Sequence, residues 1–172
     1  LLADGAQSVG ILHTDVENLG LDGLAVSTQK GLLGLYGLGF LFCRRSWAER
    51  LRPASLARFG IDLGEAHEAD KGGSSYNLEA GARRFDLGNY NYSAAMACVR
   101  SLDIIASVGT KAIETHVTGL AHGLALGLLD LGLPVAGGEP GPHIGSIVSV
   151  GEFGAGGHDT TDDPRIDSLY RH

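Results

Sequence analysis

Apolar positions early in the chain fall into three short runs, Leu1 to Ala3, Leu24 to Ser27 and Phe40 to Cys43, each bounded by Gly or polar residues. Runs of this length and punctuation predict buried strands of an α/β sheet. Between the first two, Ile11 to Leu21 carries Asp15-Val16-Glu17-Asn18-Leu19 and closes at Gly20, which predicts a short helix or turn. Trp47 to Leu56 predicts a helix that Pro53 interrupts or kinks. From about Arg58 to Tyr92 the chain is rich in Gly, Ser and charge and reads as an irregular excursion, a kind of segment that is often functional.

A helical period begins at Asn91. Asn91 or Ser93 can cap, and Met96, Val99, Leu102, Ile105 and Ala106 recur at three- and four-residue steps up to Gly109. A second helix is predicted from about Thr110 to Leu131, with Ile113, Val117, Leu120, Leu124 and Leu128 on one face and Gly132-Leu133-Pro134 as its stop. A Gly/Pro linker, Gly137 to Pro142, then leads to a predicted strand, Ile144 to Val150, and a Gly- and Asp-rich loop, Gly151 to Asp163. The two-helix unit and its strand differ from the opening sheet, so the reading places residues 1–92 in one domain and 93–172 in the next.

Composition narrows the function classes. The 172 residues carry 13 Lys+Arg against 20 Asp+Glu, a net charge of −7, and no basic cluster, which argues against a nucleic-acid or anionic-membrane surface. The longest apolar stretch, Gly31 to Cys43, falls short of the roughly 20 apolar residues that a bilayer span needs. Cys43 and Cys98 stand alone, without zinc or disulfide spacing, as suits a reducing, cytoplasmic setting. The chain opens without Met or a leader pattern, and Asp162 to Tyr170 reads as a capped helix start. Both features predict an internal segment of a longer protein.

The candidate chemistry lies at the ends of the first two strands. Asp4-Gly5-Ala6-Gln7 leaves one and Ser27-Thr28-Gln29-Lys30 leaves the next, and carboxyl ends of neighbouring strands are where open α/β sheets bind ligands. A carboxylate and a lysine there suit a pyridoxal phosphate site, which needs an acid beside the pyridine nitrogen and an amine to hold the aldehyde. Gln7 could donate to the ring oxygen, and Ser27 and Gln29 to the phosphate. Taken singly, an Asp at a strand end is more often a turn or cap residue, and a loop Lys a solvated charge.

The runs Leu2-Ala3-Asp4-Gly5-Ala6-Gln7-Ser8-Val9-Gly10 and Ala25-Val26-Ser27-Thr28-Gln29-Lys30-Gly31-Leu32-Leu33-Gly34 closely resemble the class V aminotransferase family of fold-type I pyridoxal phosphate enzymes. This family includes cysteine desulfurases and isopenicillin N epimerase-like proteins. Arg83-Arg84-Phe85-Asp86-Leu87-Gly88-Asn89-Tyr90-Asn91-Tyr92 resembles the family's Arg-Phe-Glu-x-Gly-Thr-x-Asn element, and the ordered match runs from Leu1 to about Val150. The resemblance implies an α/β fold: part of the large domain, with a mixed, mostly parallel sheet, then long helices leading into a small α+β domain. It implies that Lys30 is the Schiff-base lysine, Asp4 the partner of the pyridine nitrogen, Gln7 the contact to the ring oxygen and Ser27 the phosphate-binding serine. Asn89 stands where the family commonly has a threonine that reaches the phosphate of the other subunit of a homodimer, and Asn can donate the same bond.

The chain departs from the family at two places in this loop. Gln29 replaces a common His, keeping a donor but no charge, and Leu35 replaces a usual Pro. The ring-stacking residue and the arginine that clamps the substrate carboxylate belong, by the resemblance, to parts of the family's chain outside this segment. Other signals read as structural. Cys43 and Cys98 are core thiols, and the Gly151 to Asp163 loop lacks the cysteine that a desulfurase would carry in that region. His116 and His122 are six apart and share no helix face; His143 and His158 lie in loops; Asp159, Asp162, Asp163 and Asp167 lack calcium-loop spacing. Gly34 to Gly39 has the wrong glycine order for a dinucleotide fingerprint and reads as a close backbone turn.

The sequence therefore predicts a fragment of a pyridoxal phosphate-dependent enzyme acting on an amino acid by transaminase, lyase or epimerase chemistry. The alternatives are a catalytically inactive scaffold that keeps the fold, and an incomplete gene product.

Overall fold

The computed structural model describes residues 1–65 and 75–151, together with Pro164, Ile166 and Ser168, which are helical. The expected Gly151 to Asp163 loop, apart from Gly151 itself, lies outside the described residues, as do His158, Asp159, Asp162, Asp163 and the surroundings of Asp167.

The three opening runs form strands β1 (Leu2–Asp4), β2 (Gly23–Ser27) and β3 (Gly39–Cys43) of one sheet in the order β1-β2-β3. The sheet is mixed: β1 runs parallel to β2, with Asp4 opposite Ala25, and β3 returns antiparallel, with Ser27 opposite Gly39. The connection from β1 to β2 is a set of turns and not a helix. Asp15 accepts from the amides of Glu17 and Asn18 at 3.0 and 3.1 Å, and Gly20, at φ 61°, reverses the chain. Arg44 binds this connection to the end of β3. It pairs with Glu17 at 2.9 Å, lies 3.4 Å from Asp22 and donates to the Leu21 carbonyl at 2.9 Å.

Burial corrects the expectation of covered strands. Leu24 and Leu21 are buried, but Leu2 is 79% exposed, and Phe40 and Leu41, on opposite faces of β3, are 46% and 51% exposed. β1 and β3 are the two edges of this sheet.

Helix α1 (Arg45–Ala48) starts earlier and is much shorter than predicted. Pro53 has no amide and disfavours helical geometry at Arg52, so the chain leaves the helix after one turn. Among its described residues, the excursion that follows contains 3-10 turns at Arg58–Gly60 and Gly81–Phe85 and two-residue strands β4 (Ile61–Asp62) and β5 (Asn77–Leu78), which pair antiparallel. Arg84 fastens it: its Nε donates to Glu79 O and its Nη1 to the carbonyls of Glu49 and Leu51.

Helix α2 (Tyr92–Val108) begins at Asn91, whose side chain accepts from the Ala94 amide at 3.0 Å. Its buried face is Ala94, Cys98, Ser101 and Ile105; of the predicted stripe Met96, Val99, Leu102, Ile105 and Ala106, Ile105 lies on that face, while Met96 is 72% exposed. Val99 and Leu102 line an open apolar cleft of about 610 Å³ with Phe40, Leu41 and Phe85.

Residues Leu1–Gly10 and Thr14–Ser107 form one compact unit, and Ile11–His13 with Val108–His172 the other. In the second, helix α3 (Thr110–Asp130) buries Ala121 and Ala125 against Val135 and Ile144, with Leu128, Leu129 and Val148 packed around them. The predicted face is met in part: Leu128 packs on this core, whereas Leu120 is 62% and Leu124 56% exposed. Its end follows the sequence: Gly132 at φ 71° donates to Leu129 O and Leu133 to Leu128 O, a Schellman closure. The predicted strand Ile144 to Val150 is reduced to a single bridge between Val150 and Val135, because no neighbouring strand among the described residues pairs with the rest. His122 Nε2 donates to the Ile144 carbonyl at 3.3 Å, which gives this half-buried histidine a packing role.

Candidate functional site

The parallel pairing of β1 and β2 sets Asp4 and Ser27 at the carboxyl ends of adjacent strands. Beyond β1 the ladder continues for one bond, Gly5 N to Ala25 O at 2.8 Å, and the chain turns. Asp4 Oδ1 accepts from the Ala6 amide at 2.8 Å, and the amides of Ser8 and Val9 donate to Gly5 O. This turn carries Gln7, which is exposed, as is Asp4.

Beyond β2, the segment from Thr28 to Leu38 is a closed loop. Lys30 opens a turn in which the Leu33 amide donates to its carbonyl at 2.9 Å. Lys30 is exposed, while the following Gly31 and Leu32 are buried. The turn after β1 and the loop after β2 meet at two glycines: a Cβ on Gly10 would lie 2.3 Å from Gly31 O. The chain that follows the Asp4-Gln7 turn is thus in backbone contact with the Lys30 loop, at Gly10 and Gly31.

Ser27 carries the most informative polar atom. Its Oγ is buried and has no hydrogen-bond partner. Buried hydroxyls are nearly always satisfied, so an orphan at the carboxyl end of β2 fits a group that supplies an acceptor, as a phosphate does. Gln29, two residues on, is half-buried.

Asn89 lies on a separate segment and is exposed. That segment reaches the far end of the same loop, since Asn91 donates to Tyr36 O at 3.2 Å. Five of the six candidates, Asp4, Gln7, Ser27, Gln29 and Lys30, therefore belong to two touching connections at one sheet edge, and Asn89 is tied in through Asn91.

Sequence reasoning missed Thr28 and Gly10. Thr28 is fully buried, and its hydroxyl donates to Leu35 O at 2.7 Å. Nothing in the residue type announces this, because a Thr between Ser and Gln reads as a loop residue. Gly10 could have been suspected only as one of many turn glycines. Among the described residues no group of His, Cys, Asp and Glu could hold a metal ion, and no helix is long and apolar enough to cross a membrane.

The model of the class-V aminotransferase family matches residues 1–162, and the chain belongs to this family. It is 30% identical over 147 residues to an uncharacterized aminotransferase, YcbU, of Bacillus subtilis, covering 86% of this chain and 37% of that protein. It is 31% identical over 115 residues to a probable cysteine desulfurase of Methanothermobacter thermautotrophicus, covering 67% of this chain and 27% of the relative. The chain thus spans about a third of the length of these relatives. Among solved structures, the apo cysteine desulfurase of Thermococcus onnurineus superposes with a TM-score of 0.65 at 24% identity, over 92% of this chain and 38% of that one. A C-DES variant with glycine covalently linked to its PLP cofactor gives 0.64 at 22% identity, over 76% and 33%. These likenesses show the fold: the α/β fold of the fold-type I pyridoxal phosphate-dependent enzymes.

Proposed function

We propose that this chain is part of a pyridoxal phosphate-dependent enzyme acting on an amino acid, with its cofactor at the edge where β1 and β2 end. The observation that carries the reading is the buried, unpartnered Ser27 Oγ beside the loop that bears Lys30. Family membership and the fold support it.

Ser27 and the Gln29 amide would donate to phosphate oxygens. Asp4, already oriented by the Ala6 amide, would accept a hydrogen bond from the protonated ring nitrogen and so keep it protonated, and Gln7 would donate to the ring oxygen. When bound, the cofactor supplies an electron sink for charge developing at the substrate α-carbon. Lys30 has two tasks on this reading: at rest its amine holds the cofactor aldehyde, and during turnover it moves a proton at the α-carbon. Asn89 would donate to the phosphate bound by the other protomer of a homodimer.

The chemistry after proton removal is a separate matter. Desulfuration needs a nucleophilic cysteine; of the two in this chain, Cys98 is 2% exposed on α2 and Cys43 is half-buried at the end of β3. Cys98 lacks the exposure of a reactive thiol. The test is a panel of amino acids offered to the intact protein loaded with pyridoxal phosphate, with product formation followed by mass. The reading expects turnover of at least one amino acid, and a loss of about two to four orders of magnitude in Lys30→Ala. Turnover unaffected by Lys30→Ala would overturn it.

A further inference from the structure

We propose that Thr28 is a positioning residue for Lys30, closing the loop that presents the lysine so that its amine is held at the sheet edge. The proposal rests on the reading of Lys30 as the cofactor-binding lysine and deepens it.

Three polar groups of Thr28 are used within ten residues of chain. Its amide donates to Leu38 O at 3.2 Å, and its carbonyl accepts from the Gly34 amide at 2.7 Å. Its hydroxyl donates to Leu35 O at 2.7 Å, with Leu38 O 3.1 Å away. The residue is 0% exposed, so water cannot replace these bonds. A loop of this length would otherwise sample many conformations, and tying its base to residues 34, 35 and 38 leaves residues 29–33 as a short knuckle.

The knuckle is fixed from below as well. Leu32 is buried, and Gly31 sits against Gly10. Gly34 makes the closure possible: a Cβ there would lie 2.8 Å from Thr28 Cβ and 3.1 Å from its hydroxyl. Lys30 itself is exposed and has no described ion pair, so its direction is set by this backbone frame and not by a partner of its own. Thr28 touches neither substrate nor cofactor and acts only through the frame.

The experiment uses Thr28→Val, which keeps the shape and removes the donor, and Thr28→Ser, which restores it, in the intact protein. Amide hydrogen exchange at Gly34, the rate at which pyridoxal phosphate becomes attached to Lys30, and the pH midpoint of the resulting absorbance band are measured for each. Thr28→Val keeps the Gly34 amide's bond to the residue 28 carbonyl but loses the hydroxyl bond to Leu35 O, so opening of the loop is expected to become easier and Gly34 exchange about tenfold faster, with attachment slowed several-fold and the midpoint shifted. Thr28→Ser is expected to stay within about twofold of the parent. A purely structural role would lower the melting temperature and leave the attachment rate and midpoint unchanged, and that outcome would overturn the proposal. If Thr28→Val does not fold, Gly34→Ala perturbs the same contact from the other side and is held to the same criteria. A parent protein that attaches no cofactor to Lys30 would instead overturn the reading on which the proposal rests.

Discussion

A Cβ on Gly10 would meet the carbonyl oxygen of Gly31 at 2.3 Å, so the turn that follows Asp4 and the loop that carries Lys30 are in backbone contact at a point where only glycine fits. Gly10 also holds a φ of 90°, which side chains rarely adopt. Gly10→Ala therefore combines overpacking with backbone strain and is expected to cost about 2–4 kcal/mol. Denaturant unfolding of the variant against the parent checks this. Gly20→Ala, at φ 61° with open space around it, is expected to cost only about 1 kcal/mol, from backbone strain alone.

Asn91 serves two elements at once. Its Oδ1 accepts from the Ala94 amide and its Nδ2 donates to Tyr36 O, so the start of α2 is joined to the loop after Lys30. Asn91→Ala is expected to lose about 1 kcal/mol for the cap and a further ~1 kcal/mol for the bond to Tyr36. Asn91→Asp keeps the cap acceptor but not the donor and is expected to recover about half of the loss. Thermal melts of the three proteins distinguish these outcomes.

Tyr90 offers a pH signature. Its phenol donates to Asp86, which raises its pKa above the ordinary value, with burial and the Asp86 charge adding to the effect. A raised folded-state value means that the protonated phenol stabilises the fold below the unfolded pKa of about 10, and that this contribution is lost as pH rises through the folded value. Asp86→Asn is expected to lower the Tyr90 midpoint. An ultraviolet phenolate titration, with Tyr90→Phe identifying the step, measures it.

The parts of the fold legible in the sequence are those with local causes. The three strands, the Gly20 and Gly132 reversals and the Asn91 start of α2 follow from punctuation residues that act through their own backbone geometry. The helix faces were misread because long apolar side chains mark them in sequence, whereas the structure buries Ala94, Cys98, Ala121 and Ala125 and leaves Met96 and Leu120 exposed. Nothing in a 3.6-residue period distinguishes a face that is buried from one left uncovered. The expected strand at Ile144 failed for the same reason, since a strand needs a neighbour and the pattern alone cannot supply one. At the site, Asp4, Gln7, Ser27, Gln29 and Lys30 were legible as residue types at strand ends. The Thr28 closure and the Gly10–Gly31 contact were not, because both are tertiary facts about buried backbone.

The central claim is that Lys30 is the residue to which the cofactor attaches. The direct measurement is borohydride reduction of the intact protein mixed with pyridoxal phosphate, followed by peptide mass mapping, in parallel with Lys30→Ala. The account predicts a reduced pyridoxyl group on the peptide containing Lys30 and none in the variant. A label on Lys71 or Lys111, the other lysines of the chain, or an equal label in Lys30→Ala, would contradict it.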